Sequence, residues 1–106
     1  GPVLAVQRFT TEAEAIELAN DTKHGLAAGL FTRDGARQIR MAKKLKSGMV
    51  WVNTYRMISP IAEFGGVKTS GHGREAGLQA MYDYTRAKTI WINLSDEPIA
   101  NPFQPR

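Results

Sequence analysis

The chain has 106 residues with a formal net charge of +4, and its 42% hydrophobic and 23% charged residues are typical of one globular unit, not of a disordered segment. Because it contains no cysteine, disulfide bonds, thiolate metal sites and a cysteine nucleophile are excluded within it. Its apolar runs are far shorter than the ~20 residues that span a bilayer, and no signal-peptide pattern is present, so we expect a cytoplasmic protein without membrane insertion.

The first half of the chain alternates strand and helix patterns, which predict elements at residues 3–9, 12–20, 26–32, 35–46 and 49–53. Thr11 and Glu14 form a capping-box pattern before the first helix. Asp34 can cap the second helix, and Gly48 is expected to end it. Short apolar runs without alternation suit strands buried on both faces, and this order of elements implies parallel crossovers. The predicted class is α/β.

The second half of the chain has a different pattern. Residues 54–73 show no sustained period and contain many turn-forming residues, which predicts a long loop of the functional or mobile kind. A short helix is expected over residues 74–84, with an apolar stripe made of Leu78, Met81 and Tyr82.

The last part of the chain is predicted to be extended. Residues 85–94 alternate as a two-sided strand does. The final segment, residues 95–106, contains Pro98, Pro102 and Pro105, and proline favours an extended arm. We find no internal repeat and no low-complexity tract.

Basic residues gather in the second predicted helix. At about 100° per residue, one face carries Arg37, Arg40, Lys43 and Lys44, and the other carries Ile39, Met41, Ala42 and Leu45. A solvated outer face over a parallel sheet explains this pattern, since no aromatic or loop feature accompanies it to favour nucleic acid. We therefore expect no nucleic-acid partner.

Two other chemistries are considered and set aside. His24 and His72 lie in separate glycine-containing loops without a helical H-x-x-x-H partner, so no metal site is expected. Ser70 lacks the G-x-S-x-G elbow, and His72 is too close in sequence to serve naturally as its base.

Residues 62–77, AEFGGVKTSGHGREAG, hold five of the ten glycines. A Walker A loop requires glycine where Ala62 and Val67 stand, and the dinucleotide fingerprint requires a shorter spacing than GHGREAG offers. Glycines at 65, 66, 71 and 73 permit positive φ or close backbone approach, and Glu75 is expected in the first turn of the following helix. A purely structural corner remains an open alternative from the residues alone.

Several segments together resemble the carboxyl end of the aldehyde dehydrogenase superfamily. They occur in the family's order and spacing, over about residues 1–94, as GPVLAVQRF, EAIELAND, GLAAGLFTRD, GMVWVNTY, FGGVKTSGHGRE and YTRAKTIWINL. Each segment alone is unspecific, but the combination is highly specific.

The resemblance implies a three-layer parallel-sheet fragment of the aldehyde dehydrogenase fold. In that fold, residues 1–84 would be the end of the catalytic domain, 85–94 an oligomerisation strand and 95–106 an extended tail. The implied homo-oligomer is a dimer or tetramer assembled through residues 85–94.

The implied activity is oxidation of an aldehyde to a carboxylic acid with NAD or NADP, through a thiohemiacetal and a thioester on a cysteine. This chain has no cysteine, no general-base glutamate motif and no complete coenzyme domain. The glutamate and phenylalanine of the family's E-x-F-G-P motif, which contact the coenzyme, are also missing before Gly1 and Pro2. The fragment alone is therefore expected to be inactive and to bind no coenzyme.

Four residues match family positions with a role at the substrate. Arg56, Ile58 and Phe64 match positions that line the aldehyde tunnel in relatives, and Glu75 matches the glutamate of G-R-E on a buried proton path. A cation at Arg56 would suit an anionic aldehyde such as a semialdehyde. The structural alternatives are a core role for Phe64 and a helix-terminal charge for Glu75.

A second function remains open beside the enzyme fragment. The chain could be a noncatalytic oligomerisation or regulatory module derived from the same fold. An upstream reading frame of several hundred codons with a cysteine in a glycine-rich context would favour the enzyme. Faces normally covered by the missing chain would be bare in the fragment, so we expect it to associate.

Overall fold

A computed structural model describes residues 2–104; Gly1 and Pro105, which entered the predictions above, lie outside the described residues. The elements in chain order are helix α1 (Glu12–Asn20), strand β1 (Ala27–Leu30), helix α2 (Gly35–Lys44), strand β2 (Met49–Val52), a 3-10 helix (Lys68–Ser70) and helix α3 (Gln79–Asp83). The predicted α/β class is confirmed by this order.

Strands β1 and β2 form a parallel two-stranded sheet, with Ala27 opposite Met49 and Leu30 opposite Val52. Helix α2 makes the crossover between them and packs on β2. The buried hydrophobic residues among those described are Leu30 and Trp51, one from each strand. The core therefore sits on the sheet. The expectation that both strands are buried on both faces is wrong for β1, in which Ala27 and Gly29 are exposed.

Side chains cap both long helices at their amino ends, as predicted. The Thr11 hydroxyl accepts from the Glu14 amide at 3.2 Å, and Asp34 accepts from the Arg37 amide at 3.0 Å. The Glu14 carboxylate accepts from the amide and hydroxyl of Thr10 at 2.8 and 2.7 Å, and these bonds lower its pKa. In a capping box the glutamate side chain would accept from the amide of the N-cap residue, Thr11. Here it accepts from the amide of Thr10 instead.

Helix α2 ends earlier than expected because a side chain of α1 binds the end of it. Asn20 Nδ2 donates to the Lys44 carbonyl at 2.9 Å, and the Lys46 amide donates to Asn20 Oδ1 at 2.7 Å. Leu45 between them is extended, with φ −71° and ψ 124°. The prediction that the helix reaches Lys46 and is ended by Gly48 is therefore wrong.

The basic face of α2 is partly neutralised by α1. Arg37 Nε lies 3.2 Å from a Glu12 carboxylate oxygen, and Arg40 Nε lies 2.6 Å from the other. The Arg40 hydrogen bond, more than that of Arg37, lowers the pKa of Glu12 to about 2. Together with the Asn20 bonds, this ion pair aligns α1 and α2 in the same direction. Of the predicted apolar face, Ile39 is 63% exposed.

Two predicted strands are not formed in the described residues. Residues 3–9 have no ladder hydrogen bonds, and Val3 is 91% exposed. Residues 85–94 are likewise unpaired, with Trp91 also 91% exposed. A strand requires the backbone of a neighbouring strand, and neither segment reaches β1 or β2. Alternation of apolar and polar residues indicates an extended segment with two different faces, but it does not identify the strand that would pair with it.

Helix α3 is shorter than the predicted 74–84. Ala76 and Gly77 have φ of 57° and 65°, a left-handed backbone that interrupts a helix. The Gly77 amide instead donates to the Pro60 carbonyl at 3.0 Å. Glu75 is therefore not in the first turn of a helix, contrary to prediction. The predicted apolar stripe of Leu78, Met81 and Tyr82 is exposed.

None of the helices within residues 2–104 has the length and apolar composition that crossing a bilayer requires.

Candidate functional site

The glycine-rich corner, residues 62–77, is anchored on the backbone of Gly25, immediately before the sheet begins. The Gly25 carbonyl accepts from the Gly48 amide at 3.0 Å and from the Val67 amide at 2.9 Å. The Gly25 amide donates to the Ser70 hydroxyl oxygen at 2.9 Å. Ser70, considered above as a nucleophile, thus has a structural partner.

Glycine is required where two backbone segments meet. A Cβ placed on Gly48 would lie 1.8 Å from the Gly65 carbonyl oxygen, and one placed on Gly66 would lie 2.6 Å from the Ser70 Cβ. Of the glycines predicted to permit close backbone approach, Gly65 does so, since a Cβ on it would lie 2.5 Å from the Gly73 carbonyl oxygen. Gly48 was expected only to end α2, so its contact with the corner is a new finding. Of the four glycines proposed for positive φ, Gly71 has it, at 118°.

Lys68 fastens the corner to the end of α1. Its Nζ donates to the carbonyls of Asn20 and Thr22 at 2.9 and 3.0 Å. These are carbonyls at the carboxyl end of a helix, where a cation is favoured by the helix dipole. Lys68 has φ 56°, so it holds a sparsely populated backbone conformation while making these bonds. Nothing in the sequence around Lys68 indicates these partners, which lie 48 and 46 residues away.

Phe64 and Glu75, predicted separately, are brought together. Each amide donates to the other's carbonyl at 2.7 Å, which forms an isolated antiparallel bridge. Phe64 is half-buried and Glu75 is exposed. Residues 65–74 therefore form a loop that is closed at its base by the Phe64–Glu75 pair.

Arg56 and Ile58 lie in the loop that follows β2. Both are exposed, Ile58 at 67%. The Arg56 guanidinium carbon lies 5.6 Å from the centre of the Tyr55 ring, a cation–π geometry. Arg56 also has a left-handed backbone, with φ 59°.

Trp51 supports this loop from within the sheet. Its ring meets the Tyr55 ring edge-on at a centroid distance of 5.2 Å, and its Nε1 donates to the Met57 carbonyl at 2.9 Å. The sequence predicts Trp51 as part of a strand, residues 49–53, without indicating either partner. A buried tryptophan requires a partner for its N–H, and that requirement was the available clue.

Arg74 links the two sides of the glycine-rich corner. Its Nη1 donates to the carbonyls of Gly66 and Gly73 at 2.7 and 2.9 Å, and more weakly to that of His72 at 3.4 Å. This residue was not singled out as functional from the sequence.

Neither histidine belongs to a metal-like cluster. Residues 2–104 contain no group of three or more histidine, aspartate and glutamate side chains that could hold an ion. His24 Nδ1 lies 3.3 Å from the Thr69 hydroxyl oxygen.

A cleft of about 550 Å³ lies between α1, α2 and β1. Its lining includes Phe9, Ala15, Leu30, Met41 and Leu45. The four residues predicted to act at the substrate do not line this cleft.

The parallel strand–helix–strand unit formed by β1, α2 and β2 defines an α/β protein. Within that class, the model of the aldehyde dehydrogenase family matches residues 1–90, and the chain belongs to this family.

Individual relatives are consistent with this family match. Over 103 residues the chain is 56% identical to (Z)-2-((N-methylformamido)methylene)-5-hydroxybutyrolactone dehydrogenase of Acinetobacter baylyi, covering 97% of this chain and 21% of the relative. It is 50% identical to the NADP/NAD-dependent aldehyde dehydrogenase PuuC of Escherichia coli, covering 89% of this chain and 19% of the relative. The chain thus spans about a fifth of their length.

Solved structures share the fold. PnpE in complex with nicotinamide adenine dinucleotide superposes with a TM-score of 0.87 at 46% identity, over 97% of this chain and 21% of that one. An apo betaine aldehyde dehydrogenase variant of Staphylococcus aureus superposes with a TM-score of 0.88 at 42% identity, over 99% and 21%.

Proposed function

We propose that this chain is the carboxyl-terminal portion of an enzyme that oxidises an aldehyde to a carboxylic acid with NAD or NADP. The observation that carries the proposal is the family match over residues 1–90, supported by relatives named as dehydrogenases at 50% and 56% identity. The nucleophilic cysteine would come from outside these residues, since the chain has none.

The coenzyme accepts the hydride when it is bound. The described residues do not fit a coenzyme site of their own, because the glycine-rich corner uses its backbone to meet Gly25 and Gly48 and not to surround a phosphate. We therefore assign no coenzyme contact to this chain, and its residues act on the substrate side.

Within that function, Arg56, Ile58 and Phe64 would line the aldehyde tunnel. Arg56 and Ile58 are exposed beyond the end of β2, so another part of a longer chain can meet them there. Glu75, joined to Phe64 by the bridge, would belong to a proton path behind it. An arginine cation would attract an aldehyde that carries a carboxylate.

The test is an assay of the whole protein with a panel of aldehydes and both coenzymes. We expect reduction of NAD or NADP that depends on the aldehyde and yields the corresponding acid. The 106-residue chain expressed alone is the matched control and should give no turnover. If the whole protein oxidises none of the aldehydes, the result would instead support a noncatalytic oligomerisation or regulatory module.

We also propose that residues 85–94 join subunits into a dimer or tetramer. The segment leaves large apolar side chains exposed, namely Ile90, Trp91, Ile92 and Leu94. Unpaired backbone and exposed apolar surface suit strand addition by a second copy. Light scattering should show a smaller assembly when Trp91 and Leu94 are both replaced by glutamate, and an unchanged mass would count against this role.

A cytoplasmic location is proposed from one relative, the protein named aldehyde dehydrogenase, cytosolic 1 of Rattus norvegicus, which is 45% identical over 97 residues. Fractionation of cells that express the whole protein is the direct check. Recovery with the membrane fraction would contradict it.

A further inference from the structure

We propose that Arg74 is a positioning residue that sets the direction of the Phe64 side chain and thereby the preference among aldehydes of different size. This inference rests on the proposed function, because it takes Phe64 to face the substrate. The observation is the placement of one guanidinium across the loop that the Phe64–Glu75 bridge closes.

The bridge alone fixes only one residue pair. Its two hydrogen bonds hold the backbones of Phe64 and Glu75 together, and an isolated pair leaves the strands beyond it free to splay. Arg74 precedes Glu75 in the chain, and its Nη1 donates to the carbonyl of Gly66, two residues after Phe64, at 2.7 Å. It therefore adds a second link two residues beyond Phe64.

The side chain also packs directly on Gly65, the residue next to Phe64. A Cβ on Gly65 would lie 2.7 Å from Arg74 Cδ, 2.8 Å from Nη1 and 2.5 Å from the Gly73 carbonyl oxygen. Gly65 is thus held between Gly48 on one side and Arg74 on the other. Residue 64 cannot change its backbone direction unless this contact opens.

The Arg74 bonds all come from one nitrogen, Nη1. Gly66 is buried, so a lost partner leaves its carbonyl without compensation. The planar guanidinium holds Nη1 in a fixed direction, whereas the lysine ammonium rotates on a flexible stem. Lysine at this position should therefore restore the charge but only part of the geometry.

The test uses the whole protein with Arg74→Gln, Arg74→Lys and Arg74→Ala, and with the exposed Arg33→Gln as matched control. For Arg74→Gln we expect kcat/KM to fall about tenfold for phenylacetaldehyde and less than about threefold for acetaldehyde, through KM for the aldehyde and not for the coenzyme. Arg74→Lys should be intermediate. Added ethylguanidinium, but not ethylammonium, should partly restore Arg74→Ala.

A double-mutant cycle separates positioning from general stability. On a Phe64→Ala background, Arg74→Gln should change the ratio between the two aldehydes by less than about twofold. An equal loss for both aldehydes, or the same change of ratio without Phe64, would show that Arg74 acts on structure alone and would overturn the proposal.

A readout without activity keeps this proposal distinct from the proposed function. With 4-fluorophenylalanine at position 64, the fluorine resonance should be a single line in the parent and should shift or split in Arg74→Gln. An unchanged line overturns the positioning role even if aldehydes are oxidised. A changed line in a protein that oxidises no aldehyde supports positioning of residue 64 while the proposed function fails.

Discussion

Lys68 Nζ donates to the carbonyl of Asn20 at 2.9 Å across 48 residues of chain. Asn20 is the last residue of α1, and its own side chain binds Lys44 and Lys46 at the end of α2. One asparagine therefore joins the ends of two helices to the glycine-rich corner. The corner that carries Phe64 is held by carbonyls at the carboxyl end of α1 as well as by the sheet.

Replacing Lys68 with methionine should destabilise the protein by about 1 kcal/mol, because the methionine stem keeps the packing but removes the donor to the Thr22 carbonyl and one of the two donors to the Asn20 carbonyl. Urea unfolding measures the change. Lys68→Arg should retain much of the stability, and the exposed Lys46→Met should have almost no effect. Equal effects of the two methionine variants would show that the hydrogen bonds from Lys68 to α1 do not stabilise the protein.

Replacing Gly48 with alanine should destabilise the protein by about 3 kcal/mol or more, because the added Cβ overlaps the Gly65 carbonyl oxygen and backbone must move. Gly35→Ala is the matched control. A Cβ there meets nothing within 4 Å, and alanine in α2 should stabilise by about 0.5 kcal/mol. Thermal unfolding of the two variants should therefore move in opposite directions.

Replacing Glu12 with glutamine should have an effect that depends on pH. The pKa of Glu12 is lowered from 4.5 to about 2 by Arg40 and Arg37, so its contribution to stability is present above about pH 4.5 and is lost as the pH falls toward 2. The urea midpoints of parent and variant should differ at pH 6, differ less at pH 3 and converge only near pH 2. A difference that stays constant over this range would show that the ion pair does not act through the charge of Glu12.

Replacing Arg56 with glutamine should lower the preference for acidic over neutral aldehydes by about five- to tenfold in kcat/KM, since the proposed role is attraction of a carboxylate. The kinetic comparison of a semialdehyde with a neutral aldehyde of the same length measures it. Arg33→Gln serves again as control. An unchanged preference would remove Arg56 from the substrate site.

The site was predictable in part. Phe64 and Glu75 were identified by resemblance to the family, but their direct pairing was not, because the helix pattern placed Glu75 in the first turn of α3. The positive φ of Ala76 and Gly77 separates Glu75 from that helix. A left-handed alanine leaves no pattern in a single sequence.

By itself the sequence determined the caps at Thr11 and Asp34 and the strand–helix–strand order, because these depend on neighbours in the chain. Tertiary structure alone decided which predicted strands are paired, where α2 ends and what Lys68 and Arg74 bind. Those outcomes depend on hydrogen-bond partners tens of residues away, or on backbone turns that bring distant carbonyls within reach.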